Sequence, residues 1–171
     1  MSNGEPKRAE KKVEEPRLTH IDEKGRARMV DVGAKRVTER VAVAQAEVLM
    51  KPETLRLIMS TGLKKGDALS VAQVAGIMAA KRTSELIPMC HPIRISSVEV
   101  DFQADEKRSS ITVTVTAKTK DRTGIEMEAM TGAATAALTI YDMCKGVDRA
   151  VTITNVQLVK KSGGRSGTFQ R

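Results

Sequence analysis

Two residues of opposite charge stand at the end of the most apolar stretch of this sequence. Asp142 and Lys145 are three positions apart, so on a helix they are neighbours on one face. Burial shifts the pKa of such groups while the opposite charge restrains the shift, and pairs of this kind concentrate at sites that transfer protons. Most Asp–Lys neighbours are only surface ion pairs. Taken alone, the spacing favours a structural ion pair.

A stiff loop carries the second group of candidates. Pro88 and Pro92 bracket the tripeptide Met-Cys-His at 89–91, and each proline restricts the backbone around it. Histidine exchanges protons near neutral pH, which suits contact with a ligand, but a histidine bonded to a backbone carbonyl explains the residue equally well. A zinc site needs further Cys or His ligands. The chain offers only Cys144 and His20, without motif spacing, so no metal site is predicted.

Two glutamates, Glu126 and Glu128, flank Met127 where a predicted strand gives way to a helix. On an extended backbone their carboxylates share a face, and such a pair can hydrogen-bond the amidine-like edge of a guanine or pterin. Acidic residues are also favoured at the start of a helix by the helix macrodipole. The sequence is compatible with both explanations.

Basic residues cluster at the ends of the predicted elements. A polyphosphate carries several negative charges on adjacent oxygens and needs Lys and Arg from different segments. Three clusters, the last within the loop Ser-Gly-Gly-Arg-Ser-Gly at 162–167, therefore favour a polyphosphate site. This loop is not a Walker loop, because the Lys-Ser/Thr ending and the following helix are absent; alone it would indicate a flexible terminus. The clusters are Lys64 and Lys65, Lys81 and Arg82, and Lys160, Lys161 and Arg165.

Apolar periodicity and turn residues predict the elements that position these groups. With the two helices before the second strand taken together, their order is strand, helix, strand, strand, helix, strand, which is the split βαβ pattern of the ferredoxin-like fold. We therefore predict an α+β domain in which an antiparallel sheet carries its helices on one face. The predicted strands span 37–50, 98–103, 111–117 and 150–159, and the helices follow Pro52, follow Asp67 and span 127–143. Asp67 can cap the helix that starts after it, and Glu-Lys-Gly-Arg at 23–26 predicts a turn between two short extended pieces.

Composition divides the chain into one domain and two tails. Its 171 residues suffice for a single core, and aromatic residues make up only 2%, so Ala, Val, Ile, Leu and Met must fill that core. Residues 1–16 alternate charge without apolar periodicity and predict a disordered arm. Residues 17–159 form the predicted single domain, and 160–171 form a basic Gly/Ser-rich tail. Half of the net charge of +8 lies in this tail, which indicates local anion binding.

The sequence predicts a cytoplasmic protein. The first residues contain no apolar segment of a secretory signal. The stretch 127–143 is shorter than the ~20 residues that a membrane span needs. The two cysteines lack paired spacing and fit reduced thiols.

Several motifs together resemble one family. LTHID, ARMVDV, AAKRTSELIPMCHP, RTGIEMEAMT, ALTIYDMCK and KSGGRSG are similar to motifs of the cyclic pyranopterin monophosphate synthases, the second enzyme of molybdenum cofactor biosynthesis. The likeness covers residues 17–167, nearly the whole predicted domain. The resemblance implies a lyase that rebuilds the purine of 3′,8-cyclo-7,8-dihydro-GTP as a pyranopterin, forms a cyclic phosphate and releases pyrophosphate.

The resemblance also implies roles for individual residues and for the assembly. Asp142 and Lys145 match the acid/base pair of the family. No redox cofactor is implied, and the sequence leaves open whether Mg²⁺ accompanies the triphosphate. A homo-hexamer built as a trimer of dimers, with sites at subunit interfaces, is expected. The residues that match substrate-binding positions are Met89, Cys90, His91, Glu126, Met127, Glu128, Lys65, Lys81 and Lys161.

Two alternatives receive less support from the sequence. A nucleic-acid-binding module on this fold would stack bases on sheet aromatics, and the chain offers only Phe102, Phe169 and Tyr141. An inactive family member is disfavoured because each matched catalytic position holds the expected residue. One departure is Arg165, which stands where the family commonly has Lys. It replaces the compact charge of an ammonium with a planar guanidinium. We therefore expect an enzyme for a small molecule that binds neither nucleic acid nor membrane.

Overall fold

The computed structural model describes residues 18–60 and 67–171. The predicted arm at 1–16 and the predicted binding residue Lys65 lie outside the described residues. The elements are β1 (Thr38–Leu49), α1 (Pro52–Met59), α2 (Ala68–Lys81), α3 (Thr83–Leu86), β2 (Ile95–Asp105), β3 (Ser110–Asp121), α4 (Glu126–Cys144), β4 (Thr152–Ser162) and β5 (Phe169–Gln170).

The strands form one sheet in the order β2-β3-β1-β4-β5, and every neighbouring pair is antiparallel. Helices α2 and α4 pack against each other and against this sheet. The α+β prediction is confirmed, while the narrower assignment to the ferredoxin-like fold stays a prediction. In the described part of the chain, no helix combines the length and the apolarity that crossing a bilayer requires.

Alternation along the strands creates the inner face of the sheet. In β1 the side chains of Ala42, Ala44, Ala46 and Val48 are fully buried, because successive residues of a strand point to opposite faces. They join one core cluster with alanines of α2 and α4. The core is therefore built from small aliphatic side chains, as the low aromatic content predicts.

The small side chains let α2 and α4 approach closely. A Cβ atom on Gly76 would lie 3.1 Å from the carbonyl oxygen of Gly132, and one on Gly132 would lie 3.2 Å from the carbonyl oxygen of Gly76. Gly132 also faces Ala80, and Gly76 also faces Ala136, so the two helices run in opposite directions. The C-terminal end of α2 consequently lies beside the N-terminal half of α4.

Two aspartates fix helix starts. Asp67 accepts hydrogen bonds from the backbone N–H groups of Leu69 and Ser70, which confirms the predicted cap of α2. Asp148 was not predicted from the sequence; its buried carboxylate accepts from the N–H of Lys51 at 3.0 Å and from the hydroxyl of Thr54 at 3.2 Å. The N–H donor at Lys51 holds the pKa of Asp148 below its usual value. Asp148 thereby ties the start of α1 to the segment after α4.

The C-terminal strand is longer than predicted. Lys160 and Lys161 pair with β1 residues Val43 and Ala42, so the basic tail begins inside the sheet. The chain then turns back, and β5 pairs with β4. The alternation of apolar and polar residues ends at Val159, because two lysines follow, so the sequence predicted the end of the strand there. Backbone pairing with β1 does not depend on apolar side chains, and the strand continues.

The contact between α2 and α4 predicts the result of enlarging Gly132. Gly132→Val places extra methyl groups against the backbone of α2, and overpacking of this kind costs about 2 kcal/mol. Urea denaturation should show that loss of unfolding free energy. Gly146→Ala is the matched control, because a Cβ there meets no atom within 4 Å. Equal stability of both variants would contradict the close packing of the two helices.

Candidate active site

A cavity of about 260 Å³ opens at the N-terminal end of α4. It brings together two segments that are more than thirty residues apart in the sequence: the loop after α3 and the first turn of α4. The structure thus groups most of the residues matched to substrate binding, although it does not test their roles. Those lining the cavity are Met89, Cys90, His91, Glu126, Met127 and Glu128.

Hydrogen bonds fix the first of these segments to the end of α2. The hydroxyl of Thr83 is buried and donates to the carbonyl of Ala80 at 3.0 Å. The N–H of Ile87 donates to the carbonyl of Thr83 at 2.8 Å, and the N–H of Cys90 donates to the carbonyl of Ile87 at 3.0 Å. This chain of bonds holds residues 89–91 at a set position above the N-terminal end of α4.

The second segment is helical, not extended. Glu126 and Glu128 both lie in the first turn of α4, so the expectation that they share a face of an extended backbone is wrong. Positions two apart on a helix point in different directions. The macrodipole of α4 favours acidic residues here, and both side chains still line the cavity.

Glu128 is the most perturbed group in the cavity. Its side chain is 4% exposed, and burial, followed by the negative charge of Glu126, raises its pKa from 4.5 to about 7. The carboxyl group is therefore divided between its protonated and ionised forms near neutral pH. A group in that state can both donate and accept a proton during one reaction cycle.

Cys90 shares this environment. Burial, and then the negative charge of Glu128, raises the pKa of the Cys90 thiol. The thiolate is the nucleophilic form of cysteine. Cys90 therefore contributes an uncharged surface to the cavity at neutral pH, and not a nucleophile.

The opposite wall comes from the N-terminal segment of the described chain. Residues 18–28 form a short hairpin closed by the bridge between Ile21 and Ala27, which confirms the predicted turn. Two titratable residues of this wall, His20 and Lys35, were not predicted as site residues. His20 stands in the LTHID motif and Lys35 follows ARMVDV, but neither was matched to a substrate-binding position, and only the tertiary fold brings them to α4. The wall consists of Thr19, His20, Val30, Val32 and Lys35.

Three further candidate residues lie elsewhere or outside the described chain. Lys81 lines a separate cavity of about 230 Å³ at the end of α2. Lys161 lies in β4 and donates a hydrogen bond to the hydroxyl of Ser166. Lys65 is not among the described residues. The three basic clusters are consequently not shown to form one site.

Asp142 and Lys145 lie at the other end of α4. The Lys145 ammonium donates to the Asp142 carboxylate at 2.5 Å, with side chains 54% and 65% exposed, respectively. The hydrogen bond to Asp142, and then its charge, raises the pKa of Lys145. Within one chain this is a surface ion pair, and its predicted acid/base role stays a prediction.

Helix geometry separates this pair from the cavity. Glu128 and Asp142 are fourteen residues apart in α4, which at 1.5 Å per residue is about 21 Å. A general acid or base must come within hydrogen-bonding distance of the proton it transfers. The two groups of one chain are therefore too far apart to act on the same ring system.

The geometry defines a class of protein. Among the described residues, no group of three or more His, Cys, Asp or Glu is arranged to hold a metal ion. Phe102, one of the aromatic residues of the sheet, packs against the core. A cavity with His91 and two carboxyl groups, one of them with a pKa near neutrality, is typical of an enzyme for a small polar molecule.

Comparison with known proteins identifies the family. The sequence model described as the MoaC family matches residues 29–164. A cyclic pyranopterin monophosphate synthase of Thermomicrobium roseum is 56% identical over 90% of this chain and 93% of its own length. Those of Thermoanaerobacter pseudethanolicus and Parvibaculum lavamentivorans are 57% and 54% identical over 90% of this chain and 98% and 96% of their own lengths. The chain belongs to the MoaC family.

The raised pKa of Glu128 predicts a pH-dependent stability. The folded state binds the proton more tightly than the unfolded state, so unfolding free energy falls as pH rises from about 4.5 to about 7. Glu128→Gln removes this dependence. From pH 5 to pH 8 the variant should gain stability relative to the unsubstituted protein by an amount on the order of 2 kcal/mol.

Urea denaturation at the two pH values measures this difference. Glu106→Gln is the control, because it makes the same substitution at an exposed position on the turn between β2 and β3. A stability difference for Glu128→Gln that is the same at pH 5 and pH 8 would refute the assignment.

Proposed function

We propose that the protein converts 3′,8-cyclo-7,8-dihydro-GTP to cyclic pyranopterin monophosphate with release of pyrophosphate, and so makes the product for which its relatives are named. The observation that carries the proposal is the cavity at the N-terminal end of α4. Six residues matched to substrate binding meet there, among them Glu128, whose pKa is about 7. The reaction is a lyase reaction within molybdenum cofactor biosynthesis.

The chemistry of the cavity suits a ring rearrangement. Opening and reclosing rings through C–N cleavage requires several proton transfers. Glu128 supplies an acid or base near neutral pH, and His91 lines the same cavity. Glu126, also in the first turn of α4, offers a carboxylate that can accept hydrogen bonds from the amidine-like edge of the ring system. No redox cofactor takes part in the proposed reaction.

The proposed active site combines two chains. Asp142 and Lys145 are about 21 Å along α4 from Glu128, so their acid/base role requires the cavity of another subunit. Leu138 lies one turn before Asp142 on the same face and is 57% exposed, and Val147 beyond the pair is 61% exposed. Apolar side chains in this position favour a subunit contact. We propose a homo-oligomer, a hexamer built as a trimer of dimers, with sites at its interfaces.

The proposed location is the cytoplasm. Cys90 and Cys144 are free thiols, and reduced cysteines are typical of that compartment. The substrate is a small molecule made from GTP. Neither a nucleic acid nor a membrane is a partner in the proposed reaction.

Product formation tests the proposal directly. The purified protein, incubated with 3′,8-cyclo-7,8-dihydro-GTP, should release pyrophosphate. Asp142→Asn and Lys145→Ala should each slow release by at least about a hundredfold, because removing a positioned acid or base costs that much. Both variants should stay folded, since an exposed ion pair contributes little stability. Lys107→Ala, which removes an exposed lysine on the β2–β3 turn, should retain full activity. Near-normal release by Asp142→Asn would refute its role.

Mixed oligomers test whether two chains build each site. Glu128→Gln and Asp142→Asn should each be inactive alone. In a one-to-one mixed assembly, random pairing gives about a quarter of the sites both intact residues, so activity should return to about a quarter of the unsubstituted level. Differently tagged subunits, purified through both tags, establish that the chains have mixed. A verified mixed oligomer that is no more active than its parents would exclude the two-chain site.

A further inference from the structure

A glycine lines the candidate active site at the connection between β3 and α4. Gly124 borders the cavity together with Glu126 and Glu128. Its backbone does not have a positive φ angle, so a left-handed conformation does not explain the glycine. The carboxylate of Glu126 occupies the space that a side chain at 124 would take. A Cβ atom on Gly124 would collide with Oε2 of Glu126 and would lie 2.6 Å from its Cδ and 2.8 Å from its Oε1.

This contact differs from the contacts of the glycines between the two long helices. A Cβ atom on Gly76 or Gly132 would meet a backbone carbonyl of the opposite helix. The three atoms nearest to a Cβ atom on Gly124 all belong to the end of one flexible side chain. Such a side chain can change rotamer without any movement of the backbone. A methyl group at 124 would therefore displace the carboxylate of Glu126 and leave the fold in place.

The backbone is fixed on both sides of the contact. Before it, the carbonyl oxygens at 121–122 accept hydrogen bonds from the guanidinium of Arg40, both at 3.0 Å. After it, the side chain of Ile125 is 1% exposed within the core, and the carbonyl of Ile125 accepts from the N–H of Ala129 at 3.3 Å. The main chain is thus held at both ends of this connection, so the side chain of Glu126 must yield.

The position of the Glu126 carboxylate matters for the recognition of a ring system. The two oxygens of one carboxylate can accept the N1–H and the 2-amino group of a guanine, or the matching groups of a pterin, at the same time. A bidentate contact of this kind requires both oxygens at a set position. Glu126 is half-buried and lines the cavity. Its carboxylate keeps its present position only while the space at Gly124 stays free.

We infer that Gly124 is a positioning residue that determines specificity for the ring system, because it leaves the space from which the Glu126 carboxylate receives the amidine-like edge of a guanine or pterin. The inference rests on the proposed function for the identity of this ligand. Gly124 acts through Glu126 alone in this role. A substitution at 124 consequently has no effect on recognition once that carboxylate is removed.

Nucleotide selectivity tests this role without turnover. Guanosine triphosphate (GTP) offers both the N1–H and the 2-amino group, whereas inosine triphosphate (ITP) carries the same phosphates but lacks the 2-amino group. In isothermal titration the unsubstituted protein should bind GTP at least about tenfold more tightly than ITP, because a hydrogen bond to a charged acceptor is worth that much. Gly124→Ala should remove most of this preference and weaken GTP binding by a similar factor.

A double-mutant cycle shows whether Gly124 acts through Glu126. Glu126→Ala should abolish the preference for GTP, and adding Gly124→Ala to it should weaken GTP binding no further, because the methyl group then enters vacated space. Glu106→Ala is the matched control, since it removes the same side chain from the exposed β2–β3 turn; its combination with Gly124→Ala should keep the full loss. Gly124→Ala should not lower the midpoint of urea denaturation, and any fall must disappear in the Glu126→Ala background.

Three results would overturn the inference: equal affinity of the unsubstituted protein for the two nucleotides, an unchanged preference in Gly124→Ala, or a further loss of GTP affinity when Gly124→Ala is added to Glu126→Ala. Turnover separates this inference from the proposed function. A preference for GTP that depends on Gly124, in a protein that does not convert the cyclised nucleotide, would refute the reaction and leave the positioning role. Conversion by Gly124→Ala with an unchanged KM would refute the role and leave the reaction; we expect KM to rise more than kcat falls.

Discussion

The direct contact between α2 and α4 is the constraint on which the arrangement of the site depends. Gly76 and Gly132 allow the helix backbones to meet, and buried alanines seat both helices on the sheet. The end of α2 is thereby placed beside the N-terminal half of α4. The Thr83 hydroxyl bonds to the end of α2, and the chain continues from Thr83 to the loop that carries His91. The cavity forms where this loop crosses the first turn of α4. Larger side chains at the crossing would move its two walls apart.

The same helix explains why polar groups occur at both of its ends. Its middle packs against the core through buried alanines, and its charged residues lie in the first and last turns. At the first turn Glu128 is buried and retains a proton near neutral pH, whereas at the last turn Asp142 and Lys145 are exposed and ionised. This element of about 28 Å with nineteen residues thus carries a buried carboxyl group at one end and an exposed ion pair at the other. In the proposed oligomer, the two ends would contribute to different sites.

Local sequence patterns predicted most of the helices and strands but few of the contacts between distant segments. The alternation in β2 and β3 and the cap at Asp67 depend on neighbouring residues, so the sequence was sufficient for them. Asp148 bonds to a distant segment, and His20 and Lys35 line a cavity with distant segments; neighbouring residues do not predict these tertiary positions. The basic clusters show the same limit: Lys81 and Arg165 were grouped by charge, yet the fold puts Lys81 in a separate cavity and Arg165 beside Arg40. Only the resemblance to a family linked His91 with Glu126.

The raised pKa of Cys90 has a consequence for chemical durability. Oxidation to sulfenic acid and attack on electrophiles both begin from the thiolate. Burial and the neighbouring Glu128 keep Cys90 in its thiol form, so peroxide and alkylating agents meet a poorly reactive sulfur. The surroundings of Cys90 therefore favour the less reactive form of its sulfur.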